Sequence, residues 1–537
     1  LLLLLSLAVV AVVLCMALRE RFAFVLPVLA SAAVLLLYPL AMADALAAFP
    51  WLLYAAALLG LGWVAWAAAH GRGAALFTAL RTFVLTPALL AFVLLAALLI
   101  GGQRAHGATA PDELRYFAIE AKSLFAQGGL ANRALHLTQP FQAHPPGMQL
   151  FQWLGAVVAS ACGDGLLFSM LNVFYAIYLL PLAACITWRR VWLLPLYLLL
   201  AVALPTAVSR DAYAMLRVDA ATGVCLGYCL VLVWRQCRSA KVSAFDAISL
   251  GLGLFVLALL TQAGIVWALM PVTLLLLQWR GFERPVRAAR WLAVAAPLLA
   301  FGSWQLYCLL DGLPSLFATG LRQTVALWGA AAQSSAALGA LPAALWRAAS
   351  QVLIGGEGGV PSPLFGLPLI GWAIVLPLLP LLLALVGRHT VRRMVSVSLW
   401  LGVCLIGFTA AFALFSAAGL TQGLQAFISG DAAATAYRLE RYASPGLIGT
   451  LMLLVAMVQV GEPIPRRRLL VLTAALAVLL LCTANWRQVQ LNLFTGGYPL
   501  AMTDEIVAVR EGGDWPATAP APQREGMHHA APRNAGT

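Results

Sequence analysis

The sequence predicts an all-α integral membrane protein, a polytopic helix bundle of about 14 spans with outer loops and interfacial helices. Three observations carry this reading. Of 537 residues, 63% are hydrophobic and only 10% charged, against roughly 25% charged in soluble domains. Apolar runs of about 17 to 25 residues recur along nearly the whole chain, each long enough to cross about 30 Å of hydrocarbon as a helix, whereas a β-barrel would alternate every second residue. The basic residues gather in short clusters between those runs, which orients helices with their basic turns on the cytoplasmic side.

Taken in order, the spans fall near 1–18, 22–45, 51–69, 82–102, 166–186, 191–207, 218–234, 243–260, 264–278, 292–310, 364–386, 395–418, 445–460 and 469–484. The chain begins within its first apolar run, Leu1 to Leu5, and no removable signal peptide is separable from it. Arg19/Arg21, Arg72/Arg81, Arg189/Arg190, Arg235/Arg238, Arg284/Arg287/Arg290, Arg392/Arg393 and Arg466/Arg467 then share one side. The net charge of +13 is thereby assigned to membrane orientation rather than to nucleic acid. The segment 148–162 is apolar but short, and opens with Met148, Gln149, Gln152 and Trp153. Counting it as a crossing would invert the charge bias of every later loop, so it is expected as a helix lying in the outer interface.

This arrangement places on the outer side the loops 103–165, 208–217, 311–362 and 419–444, the tail 485–537, and most of the 20 acidic residues. Gly355–Gly359 suits flexible backbone, and the Ala/Pro/Gly-rich end beyond Asp514 reads as disordered. The nine cysteines are scattered, with no disulfide or metal spacing. His106 and His136 match no zinc pattern and read as surface residues.

The first outer loop carries the adjacent carboxylates Asp112 and Glu113, followed by Arg115, Tyr116 and Glu120, in a stretch 111–127 that reads as helix with Pro at its first turn. Acidic residues at the mouth of a membrane bundle are costly and mark function. Neighbours on a helix point about 100° apart, so one carboxylate would face a reacting group while the other orients it. The same pair would also suit a solvated helix start favoured by the macrodipole. His144-Pro145-Pro146-Gly147 forms a rigid extended turn, which is also a helix-entry signal.

Together these motifs resemble the C-type membrane glycosyltransferases (the GT-C superfamily), in particular the branch of protein O-mannosyltransferases and lipid A aminoarabinose transferases. The resemblance runs through Asp112-Glu113-Leu114-Arg115-Tyr116-Phe117-Ala118, His144-Pro145-Pro146-Gly147, Arg217-Val218-Asp219 in a short outer loop, and Arg441-Tyr442-Ala443-Ser444-Pro445 before a late helix. It covers 82–484, leaving 1–81 as extra N-terminal helices and 485–537 as a tail. One departure is Thr261-Gln262-Ala263-Gly264, where relatives often carry Lys. A large folded C-terminal outer domain, as in the oligosaccharyltransferases, is not expected.

The resemblance implies sugar transfer, with inversion, from a polyprenyl-phosphate donor to a hydroxyl of a glycan, lipid or protein, at the periplasmic face of a bacterial inner membrane. Asp112 and Glu113 are then the catalytic residues, Asp112 as base. Arg441, with Arg217 and Arg210 as seconds, would hold the donor phosphate, since the planar guanidinium pairs with phosphate through two hydrogen bonds. Each of these arginines would also serve as an interfacial anchor, and Asp219 as a helix cap. Tyr116, His144, Asp219 and Tyr442 are the expected substrate-binding residues. No cofactor is required, although Asp112, Glu113 and Asp219 could hold a divalent cation. Two competing classes are a lipid-linked sugar flippase or transporter and an O-antigen ligase or polymerase. A transporter would place ionisable residues mid-span or break its helices there, and a ligase would lack the early Asp-Glu and Pro-Pro loop.

Overall fold

A chain in hydrocarbon must satisfy its backbone polar groups internally, and helices do so without leaving an edge. The computed structural model describes residues 2–103, 106–108, 113–130, 143–209, 212–238, 243–277, 284–313, 322, 325, 369–385, 391–415, 432–459 and 486–494. Among them are helices and turns, and no strands. The helices are α1 (Leu2–Leu18), α2 (Phe22–Met42), α3 (Phe49–Ala67), α4 (Gly73–Ala79), α5 (Pro87–Gln103), α6 (Ala118–Gln127), α7 (Gly147–Ala159), α8 (Asp164–Leu179), α9 (Leu194–Val208), α10 (Asp219–Arg238), α11 (Ala244–Leu260), α12 (Gly264–Leu277), α13 (Arg284–Leu310), α14 (Leu369–Leu385), α15 (Val391–Phe415), α16 (Ala432–Gln459) and α17 (Trp486–Phe494).

Seven helical stretches among the described residues are long and apolar enough to cross a membrane: Phe22–Met42, Leu46–Val84, Asp164–Ala183, Trp188–Thr206, Asp219–Cys237, Arg290–Leu310 and Val391–Phe408. Among the described residues the expected count of about 14 spans is not confirmed; shorter apolar helices accompany these seven. Helices α1, α5 and α11 have 17 residues each, about 26 Å of rise, and α12 has 14. The expected end of a span at residue 69 coincides with a break in helical geometry at His70 and Gly71. Helix α3 runs on through α4 to Val84 as one stretch of 39 residues, bent where His70 leaves helical geometry and Gly71 takes φ 76°. The expected span 469–484, Gly355–Gly359 and the tail beyond 494 lie outside the described residues.

Helix α10 is the centre of the bundle. It packs on α8, α11 and α12, and most extensively on α16. The α10–α16 crossing follows from composition. Without a hydrophobic force between helices in lipid, small residues that let backbones approach decide the contact. A Cβ at Gly223 would stand 3.0 Å from Pro445 Cα, and one at Gly227 only 2.2 Å from the Met452 sulfur; from the other side, a Cβ at Gly449 would meet Leu226 at 2.8 Å. On α10 and the helices packed against it, Trp234, Trp267, Tyr175, Tyr178 and Tyr228 are fully buried.

The N-terminal helices pack differently from one another. Helix α2 lies against α7, α8 and α11, and its Ser31 hydroxyl hydrogen-bonds the Tyr178 hydroxyl at 2.7 Å. Helix α1 packs on α2 and α3. At the C-terminal end of α10, Arg235 pairs with Glu20 at 2.8 Å and Asp246 at 3.2 Å and covers the Phe24 ring at 4.1 Å. Ser243 caps α11, accepting from the Asp246 backbone N–H.

Candidate functional site

The opposite, N-terminal end of α10 gathers the motif residues. A π-helical turn, Glu113–Phe117, leads into α6, and Glu113 is fully buried. Its Oε1 accepts the Leu216 backbone N–H at 2.7 Å. The segment between α5 and α6 is thereby fastened to the short loop before α10, directly beside the half-buried Arg217. Asp219 is the first residue of α10, where the helix dipole favours a carboxylate. There its Oδ2 accepts from Arg441 Nε of α16 at 2.6 Å. The bond fixes the plane of the guanidinium, and the glycine crossing one turn below sets the separation that allows it.

The His144-Pro145-Pro146-Gly147 turn joins the same cluster. The His144 ring packs on Tyr116 at 4.8 Å and Phe117 at 5.8 Å, and its Nδ1 lies 3.1 Å from the Pro145 carbonyl oxygen. Enclosure among these rings pushes the imidazole down to about 4, with Arg441 close enough to add to the effect, so His144 is neutral at pH 7. Gly147 is required by contact: a Cβ there would stand 2.6 Å from the Leu259 carbonyl oxygen at the end of α11. The residue ahead of the turn is fixed as well, since the Ala143 carbonyl accepts from Gln262 Nε2 at 3.0 Å and from the Trp304 indole at 2.9 Å. Gln262 thus shapes the loop.

Below His144 lies a buried polar chain. Gln149 of α7 donates to the Tyr116 hydroxyl at 3.2 Å, and Glu120, one turn after Tyr116, hydrogen-bonds that hydroxyl too. Burial raises the Glu120 carboxyl to about 8 and the Tyr116 phenol well above its usual range. A carboxyl so raised keeps its proton at pH 7.

Of the residues expected from sequence, Glu113, Tyr116, His144, Asp219, Arg217 and Arg441 are therefore brought to one end of the bundle. Asp112 and Arg210 lie outside the described residues, as does the side chain of Tyr442. Among the described residues no group of three His, Cys, Asp or Glu is arranged to hold a metal ion. Segment 148–162, expected as an interfacial helix, forms the 13-residue α7 and is buried along most of its length against α2, α6, α8 and α11. His106, expected at the surface, is buried, with its Nε2 on the Asn492 carbonyl at 2.8 Å. Sequence reasoning also gave no role to Glu120, although its place four residues after Tyr116 puts both on one helical face. No protein-family model, curated protein or solved structure matches the chain.

Proposed function

We propose that the protein is a membrane glycosyltransferase that moves a sugar from a polyprenyl-phosphate donor to a hydroxyl acceptor, with inversion, at the periplasmic face of a bacterial inner membrane, in a bundle of about 14 spans. The observation that carries this reading is the meeting of four motifs spread over more than 300 residues of sequence. Glu113 bonds Leu216 beside Arg217, Asp219 bonds Arg441, His144 packs on Tyr116, and Arg441 acts on His144. An anionic leaving group and a proton-accepting carboxylate are the two requirements of such a transfer. Arginine beside a buried acidic loop supports both.

In the proposed step the acceptor oxygen attacks the anomeric carbon as the bond from that carbon to the phosphate oxygen breaks. The acceptor proton passes to Asp112. The phosphate leaves with its charge held by Arg441, oriented by Asp219, with Arg217 as a second cation. Glu113, spent on Leu216, orients the loop. The half-buried, neutral ring of His144, backed by the buried Tyr116, offers a surface on which a sugar ring can pack without competing for the phosphate.

The test is transfer of labelled sugar from a polyprenyl-phosphate donor by purified protein in nanodiscs. Asp112→Asn retains size and hydrogen bonding but cannot take the proton, so turnover falls by about 10²-fold or more with donor binding retained. Glu113→Gln costs less. Parental turnover by Asp112→Asn removes that residue from the chemistry, and donor that crosses the bilayer unaltered favours a transporter.

A further inference from the structure

We infer that helix α17 is a clamp on this site and that Asn492 is its positioning residue. The catalytic consequence rests on the proposed function; the clamp itself does not. Helix α17 is nine residues long, too short to hold together in isolation, yet Val489 and Leu493 are buried one turn apart where it packs on α5 and α9. Its last carbonyls have no partner within the helix, and the first outer loop supplies donors to them. Gln103 Nε2 lies 3.3 Å from the Asn492 carbonyl oxygen and 3.4 Å from that of Leu493. His106 Nε2 lies 2.8 Å from the Asn492 carbonyl oxygen. Gly102 completes the seat, since a Cβ there would come within 2.7 Å of the Leu493 carbonyl oxygen.

The side chain of Asn492 then reaches the other loop. Its Nδ2 donates to the Ala212 carbonyl at 2.9 Å, and the residue is almost wholly buried. Ala212 stands four residues before Leu216, whose N–H is held by Glu113. The loop from 212 to 217 is therefore pinned from two directions, by Asn492 at its start and by Glu113 beside Arg217. Both pins trace back to the same outer loop: His106 and Gln103 hold Asn492, and Glu113 follows a few residues on. One helix from the far end of the chain thus fixes how the acidic loop meets the arginine loop. His106 is suited to this as a neutral donor. It bonds through Nε2, and burial lowers its pKa below the usual range, so the ring can sit against Phe168 at 5.3 Å without a charge.

The experiment reads the loop directly. In a background free of native cysteines, Met215→Cys places a thiol in the clamped loop at a position 6% exposed, and Met452→Cys places a control thiol in α16. Asn492→Asp preserves volume but turns an acceptor toward the Ala212 carbonyl. It is expected to speed maleimide labelling at 215 by about tenfold to a hundredfold, the scale of one lost buried hydrogen bond in a local opening, with labelling at 452 unchanged. His106→Ala acts in the same direction, and His106→Gln, whose amide replaces the Nε2 donor, restores protection. These two variants decide the matter if Asn492→Asp does not fold. In the transfer assay Asn492→Asp lowers kcat more than it raises KM. Equal protection at 215 in the parent, Asn492→Asp and His106→Ala overturns the clamp. If the labelling pattern holds while the parent transfers no sugar, the functional proposal fails and the clamp stands.

Discussion

The two ends of α10 use the same kinds of residue for different ends. At its C-terminus Arg235 sits between Glu20 and Asp246 and over Phe24, and its acidic partners belong to the α1–α2 connection and the capped start of α11. Every group there ties one helix end to another. At the N-terminus, about 24 Å from Arg235 along the helix, Asp219 and Arg441 also form an ion pair. Their neighbours, however, are loops rather than helix ends: the Glu113 turn, the Arg217 loop and the His144 turn. Here a buried carboxyl keeps its proton and a histidine loses its own. The lesson is that an ion pair alone says little about purpose, and its company decides. A pair that joins helix ends is architecture, whereas one set among fixed turns beside a perturbed histidine is a candidate for chemistry.

That contrast can be broken most sharply at Arg441. Arg441→Ala is expected to reduce sugar transfer by about 10²- to 10³-fold, the scale for removing one preorganised donor to developing charge. Arg441→Lys is expected to fall between it and the parent, because lysine keeps the charge and loses the fork. Initial rates per folded molecule check this. Equal rates for all three would make the Asp219 pair as architectural as the Arg235 one.

A smaller effect sharpens the picture at Glu120. An unfolded chain ionises this carboxyl above about 4.5, while the native state holds the proton to about 8. Stability is thus fully present below 4.5 and is lost as pH rises through that window, by roughly 3 kcal/mol at pH 7. Glu120→Gln is expected to raise Tm at pH 7 to 8 and leave it unchanged at pH 4. A Tm gain independent of pH would show that the carboxyl is ionised in the native state.

The smallest expected effect belongs to the C-terminal end of α10. Arg235→Met should destabilise by about 1–2 kcal/mol, because it strands Asp246 beside a helix start but leaves Glu20 partly hydrated. Turnover per folded molecule should not change, as measured by denaturation and transfer assay on the same preparation. A selective loss of turnover would couple the two ends.

Much of this arrangement was legible in the sequence. Apolar runs gave the helical membrane architecture, because hydrocarbon permits little else. The carboxylates, the Pro-Pro turn and the late arginine stood out because polar residues are rare in such a chain. The number of spans was less legible: 17-residue apolar helices such as α5 and α11 stand at the lower limit of a crossing, and composition does not mark where each helix ends. His106 and Asn492 were hidden because their bonds join positions 386 apart, and no local pattern records such a partner. The Gly223/Gly227 spacing was readable as a small-residue face, but its partner on α16 was not.

That crossing also makes α10 a lever. Taking the pivot at Cys225, midway between the two glycines, the arm to Asp219 is about 9 Å and the arm to Arg235 about 15 Å. Any tilt of α10 against α16 is therefore magnified at the basic end and damped at the acidic one. Asp219 moves least against Arg441 because the fulcrum sits close to them. Thermal rocking of the bundle is thus spent mainly at the Arg235 end.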